Sequence, residues 1–149
     1  MQLSEDHILP APRDDVWAAL HDPDVLRDCI PGCTELVAEG DDTLHASVTT
    51  KIGPVKATFK GTVTFSEERP PESFVLGGEG KGGVAGFAKG QAHIFLDEHP
   101  AGTLLRYEVE VKLGGKLAQL GSRLIASTSR KLSAQFFESF AARFQQQDR

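Results

Sequence analysis

Hydrophobic and polar positions change their period three times along the chain. Gln2 to Leu9 reads as a strand ending at Pro10-Ala11-Pro12; Val16, Trp17 and Leu20 then recur at helical spacing. Asp14 and Asp15 fall in the first turn of that helix, where the backbone dipole favours negative charge. Asp22-Pro23 supplies an N-cap followed by proline at the first helical position, and Val25, Leu26, Cys29 and Ile30 form an apolar stripe that Pro31-Gly32 stops. From Thr34 to Leu113 the period is two, broken at Gly40-Asp41-Asp42, at Arg69-Pro70-Pro71-Glu72, at the glycine-rich stretch Gly77 to Gly86 and at His99-Pro100-Ala101-Gly102. Leu44, Ala46, Val48, Thr50 and Ile52 share one face, as do Ala57, Phe59, Gly61, Val63 and Phe65, and as do Leu105, Tyr107, Val109, Val111 and Leu113. Gly53-Pro54 reads as a turn between two of these strands.

Lys116 to Gln145 returns to the helical period, with Leu117, Leu120, Leu124, Thr128, Leu132, Phe136 and Phe140 on one stripe. A helix of about 30 residues runs about 45 Å, enough to lie across a whole sheet. The predicted order is strand, two short helices, about six strands and a long helix. It gives an α+β domain spanning residues 1–149, a curved antiparallel sheet with the helix on its concave face, and a polar tail from about residue 145 to 149.

Composition narrows the classes. The chain has 149 residues, 16 Lys+Arg against 21 Asp+Glu and a net charge of −5, which argues against a nucleic-acid binder. No run approaches the roughly 20 apolar residues that span a bilayer, and the acidic start Met1 to Asp6 lacks the features of a signal peptide, so a soluble, cytoplasmic protein is expected. Lys112, Lys116, Arg123, Arg130 and Lys131 form a basic flank on the long helix and its approach. It reads as a solvated face, or as one turned to an anionic partner or to lipid headgroups.

The inward face carries little side-chain volume. Ala88, Gly90 and Ala92 alternate with Lys89, Gln91 and His93, and Ala46, Ala57, Gly61, Gly121 and Ala126 add further small positions. Protein interiors are filled to crystal-like density, so either large side chains such as Trp17, Phe59, Phe65, Tyr107, Phe136 and Phe140 fill this space or a pocket remains. If it remains, Phe59, Phe65, Tyr107, Leu120, Leu124 and Phe136 wall it, Ala88, Gly90 and Ala92 leave room for an apolar ligand, and Gly77 to Gly86 forms a mobile lid. Tyr107, Thr50 and Thr128 are the candidate polar hooks.

Other chemistries find little support. Gly78-Glu79-Gly80-Lys81-Gly82-Gly83 matches the dinucleotide-binding glycine string, but strand rather than helix follows it. Cys29 and Cys33 supply two thiolates where structural zinc needs four ligands, and the spacing is too long for a redox pair. There is no nucleophile elbow, and the strand phase places no carboxylate or histidine inward, so no catalytic and no metal-binding residues are assigned.

Val16-Trp17-Ala18-Ala19-Leu20, Asp22-Pro23, Leu26, Cys29-Ile30-Pro31-Gly32-Cys33 and Lys51-Ile52-Gly53-Pro54-Val55-Lys56-Ala57 resemble the CoxG family, the G component of carbon monoxide dehydrogenase. Gly102-Thr103, Tyr107, Gly114 to Ala118, Leu120-Gly121 and Gln135-Phe136-Phe137 follow in the expected order, so the resemblance covers nearly the whole chain. It implies the helix-grip fold of the START-like (SRPBCC, polyketide cyclase-like) superfamily, with a cavity under the long helix. It also implies a non-catalytic accessory to a molybdenum hydroxylase of the carbon monoxide dehydrogenase type. The implied partners are the hydroxylase subunits and an apolar small molecule or lipid, most simply a quinone held without a covalent bond, with peripheral contact at the inner face of the membrane. Some relatives carry a membrane-binding tail; Gln145 to Arg149 does not match one, so tethering by a tail is not expected. The alternatives are an assembly or docking factor with no ligand role, and a cyclase- or hydrolase-type enzyme using Tyr107.

Overall fold

The computed structural model describes residues 1–147. The chain runs β1 (Gln2–Leu9), α1 (Arg13–Leu20), α2 (Pro23–Cys29), β2 (Cys33–Glu39), β3 (Thr43–Ile52), β4 (Val55–Arg69), β5 (Ser73–Lys81), β6 (Phe87–His99), β7 (Gly102–Gly114) and α3 (Ser122–Gln147), with single 3-10 turns at Gly83–Ala85 and Gly115–Gln119. All seven strands form one antiparallel sheet in the order β1-β7-β6-β5-β4-β3-β2, so every neighbouring pair except β1-β7 is a sequential hairpin. This is the α+β helix-grip arrangement that the alternation and the resemblance both imply.

Local chemistry explains the short helices. The Asp22 carboxylate accepts a hydrogen bond from the Asp24 amide at 3.0 Å, capping α2, while Asp14 and Asp15 occupy the first turn of α1. His21 closes α1, its Nδ1 donating to the Trp17 carbonyl at 2.8 Å while its ring stacks on Trp17 and Phe65.

Two expected boundaries differ. The long helix starts at Ser122 rather than Lys116 because Gly121, at φ +89°, breaks the helical path and leaves Leu117 and Leu120 in or beside the preceding 3-10 turn. At its other end α3 runs on to Gln147, through part of the tail placed at 145–149; residues 148–149 lie outside the described residues. The glycine-rich stretch is mostly not a lid. Gly77 to Lys81 belong to β5, paired Gly78 to Gly90 and Gly80 to Ala88, and only Gly82 to Gly86 connect to β6.

The core is concentrated at one end. Leu9, Val16, Leu20, Leu44, Phe65, Phe74, Leu96, Leu105, Phe140 and Phe144 belong to a single buried cluster joining α1, α2, the sheet and the second half of α3. The first half of α3 lies over the opposite end of the strands, where the sheet supplies much less bulk.

Candidate functional site

Cross-strand register shows why that end is hollow. Directly paired residues of an antiparallel sheet share a face. The pairings Ala46–Gly61, Gly61–Gly80 and Gly80–Ala88 therefore draw one row of small residues across four strands. The next row contains Gly78 paired with Gly90. Gly61 is also required by a close approach, since a Cβ there would stand 1.7 Å from the Glu79 carbonyl oxygen.

Two apolar hollows result. One, of about 280 Å³, lies along these rows and is walled by Val48, Phe59, Val63 and Val111 among others. A second, of about 230 Å³, sits beneath α3, between Thr50, Ile52, Phe59, Ala88, Val111, Leu113 and Leu117 on one side and Ile125, Thr128, Ser129 and Leu132 of the helix on the other. Phe59, Ala88 and Val111 line both. Larger hollows of about 560 and 630 Å³ lie on the outer face of the sheet, but their walls include Glu108, Glu110 and His93, or Glu79, Lys89 and Lys112. Such charged walls do not suit an apolar guest.

The structure scatters the sequence-predicted ligand residues instead of gathering them in one site. Phe59 and Ala88 line both hollows, and Gly90 lines the one along the rows. Phe65 is in the main core and Phe136 packs against it, stacked on Phe140 at 5.5 Å. Leu124 leans over the β3–β4 turn, where a Cβ on Gly53 would meet its Cδ2 at 2.7 Å. Ala92 is paired with Leu76 and Val109, one row beyond Gly90, and Leu120 ends the second 3-10 turn; neither lines a hollow. Of the polar hooks, Thr50 and Thr128 line the cavity under α3.

Tyr107 lies elsewhere, and its surroundings correct the reading that no carboxylate or histidine faces inward. Strand β1 pairs Glu5 with Tyr107 and His7 with Leu105, which turns Glu5 and His7 to the helix side of the sheet. The Tyr107 hydroxyl donates to Glu5 and accepts from Ser133 Oγ at 2.7 Å. His7 stacks on Phe137 at 3.9 Å, and its Nε2 is buried without a hydrogen-bond partner among the described residues. Burial pushes the His7 pKa down against the opposing charges of Glu5 and Asp6. The phase of β1 was the missed signal: Leu3, Glu5, His7 and Leu9 alternate with Gln2, Ser4, Asp6 and Ile8.

Burial, followed by the hydrogen bond to Glu5, pushes the Tyr107 hydroxyl up to about 12, while Ser133 works against the shift. It is the chain's single tyrosine, so its phenolate absorbance titrates alone. The midpoint is expected near 12; Glu5→Gln lowers it and Ser133→Ala raises it further. Because the folded state holds this proton more tightly, stability falls as pH rises from about 10 toward 12. A midpoint indifferent to both substitutions overturns the arrangement.

At the other end of the sheet, burial pushes the Cys29 and Cys33 thiols up, away from the thiolate form that binds metals. Among the described residues, no group of three or more His, Cys, Asp or Glu could hold a metal ion. No helix of the described residues is long and apolar enough to cross a membrane.

The model of the CoxG family, described as the G component of carbon monoxide dehydrogenase, matches residues 7–145. Among solved structures, the chain is similar to a conserved protein from Geobacillus kaustophilus, at 28% identity and a TM-score of 0.88, covering 97% of this chain and 94% of that one. It shares its fold with a protein from Rhodobacter sphaeroides (19% identity, TM-score 0.71, coverage 96% and 91%) and with protein Ms6760 from Mycobacterium smegmatis (15% identity, TM-score 0.73, coverage 98% and 92%). No curated protein matches.

Proposed function

Since the chain belongs to the CoxG family of carbon monoxide dehydrogenase components, we propose that it is a non-catalytic accessory of a molybdenum hydroxylase that carries a quinone in the cavity under α3. The observation that carries this reading is the hollow beneath α3, with Thr50, Thr128 and Ser129 as its hydroxyl groups and otherwise mostly apolar walls. Shape and apolar area dominate such a site, and few groups in it are suited to moving protons. A prenyl or acyl tail gains about 0.8 kcal/mol per buried methylene. Even a partly enclosed tail therefore binds usefully after its ordering cost is met. The cluster of Glu5, His7, Tyr107 and Ser133 favours a second reading, an enzyme of the same fold, but none of these four lines either hollow.

Native mass spectrometry of gently purified protein, followed by organic extraction, tests the proposal. A quinone mass released from the protein is the expected result. An apo mass that persists after quinones are added overturns carriage and leaves an assembly or docking role beside the hydroxylase.

A further inference from the structure

The two apolar hollows meet at Phe59, Ala88 and Val111. Ala88 carries only a methyl group, and the branched Cβ of Val111 restricts its rotamers, so Phe59 is the shared wall with freedom to turn. What holds its ring in place is the absence of a side chain at Gly82, where β5 gives way to the β5–β6 connection. Gly82 has a φ of −119°, which any residue can adopt, so its backbone does not call for glycine. The Phe59 ring does: a Cβ on Gly82 would stand 2.6 Å from its Cε1 and 2.8 Å from its Cδ1. Gly82 thus forms the slot in which the ring rests. With that slot filled, the ring has to turn toward the open space of the hollows that it borders.

The two hollows differ in chemistry, and neither is large. A cavity of about 150 Å³ takes a benzene ring, or about 25 Å³ per carbon. By that measure the hollow under α3, of about 230 Å³, holds roughly nine heavy atoms, and its neighbour, of about 280 Å³, roughly eleven. Each has room for a ring or for a chain, but not for both. The hydroxyl groups of Thr50, Thr128 and Ser129 belong to the first hollow. In the second the inward side chains are apolar, as at Ala46, Val48 and Val63, because Thr62, Glu79 and Lys89 at its edge alternate to the outer face of the sheet.

We propose that the two hollows are the ring and chain chambers of one divided site, and that Phe59, positioned by Gly82, determines which ligands fit it. The ligand it selects has an oxygen-bearing ring under α3, where the hydroxyls can donate to it, and a single apolar chain of about ten carbons that passes Phe59 into the second chamber. The identity of the ring rests on the carrier reading; the division of the site by Phe59 does not.

Equilibrium dialysis of the full chain against two series of probes tests the division. One series is 1,4-benzoquinones bearing one n-alkyl chain, from methyl to tetradecyl; the other is n-alkanols of matching length. Affinity is expected to climb about fourfold per methylene and to level off near about ten carbons in the quinone series. Gly82→Ala, by turning the Phe59 ring into the neck, lowers binding of the decyl quinone more than about tenfold, the worth of about two methylenes. It leaves the methyl quinone and the unfolding midpoint little changed. Phe59→Leu added to Gly82→Ala restores decyl binding, a rescue that general damage to the fold would not show. Gly77→Ala, on the outer side of β5, leaves both series unaltered. Undiminished decyl binding by a folded Gly82→Ala protein, or no rescue by Phe59→Leu, overturns the division of the site. Quinone binding indifferent to chain length and to Gly82 also overturns it, and leaves carriage standing. Alkanols that level off and respond to both substitutions, beside quinones that do not bind, overturn quinone carriage and leave the divided site. No binding in either series overturns both.

Discussion

An Ala88→Phe variant is expected to fold normally and to lose uptake of an apolar ligand by about a hundredfold. Ala88 lines both hollows and ends the row of small residues that begins at Ala46. Its Cβ already points into unoccupied volume, so a phenyl ring there fills space instead of displacing packed neighbours. Excluding three or four methylenes of a guest forfeits about 3 kcal/mol, which sets the size of the effect. Gly61 is not an equivalent choice: any side chain there collides with the Glu79 carbonyl and breaks the β4–β5 pairing. Extraction and mass spectrometry of the variant, with its thermal unfolding alongside, decide the matter. Full uptake by a folded Ala88→Phe protein removes the cavity under α3 as the binding site.

Phe140→Ala is expected to cost about 3–5 kcal/mol of stability. Phe140 has 0% exposure, stacks on Phe136 at 5.5 Å and meets Phe144 edge-on at 5.1 Å. Truncating it opens a void at the junction of α3 with the main core, and the fixed sheet beneath cannot collapse to fill it. Leu132, two turns earlier, borders the cavity and already lacks neighbours on one side. Leu132→Ala should therefore cost distinctly less, about 1–2 kcal/mol. Urea unfolding of the two variants measures the contrast, and equal losses would mean that both halves of α3 are packed alike.

The order of elements was legible because each period ran long enough to identify itself. β3, β4 and β7 alternate over at least ten residues each, and the stripe Leu132, Phe136 and Phe140 repeats every turn of α3. Small inward residues were legible too, but not their alignment, which depends on register between strands distant in sequence. Ala46 and Ala88 become ends of one row only through the pairings of Gly61 and Gly80. Glycine concealed strand at Gly77 to Lys81, because a residue without a side chain contributes nothing to an alternation. The inward Glu5 and His7 escaped because polar residues on a buried face invert the usual pattern, and here hydrogen bonding to Tyr107 and stacking on Phe137 accommodate them. Ile125 and Ser129 were displaced from view by a helical phase extended back through Leu117 and Leu120, which α3 does not contain.

The β1–β7 ladder has a consequence for the order in which the protein is assembled at the ribosome. Strands β2 to β7 add to the sheet one hairpin at a time, each able to pair with the segment translated just before it. β1 emerges first yet pairs last, because its partners, from Thr103 to Glu110, are made about a hundred residues later. At synthesis rates of about 5–20 residues per second, β1 waits roughly 5–20 s. Throughout that interval the nascent chain carries an unpaired amphipathic strand, and the bond between Glu5 and Tyr107 is among the last contacts the finished domain acquires.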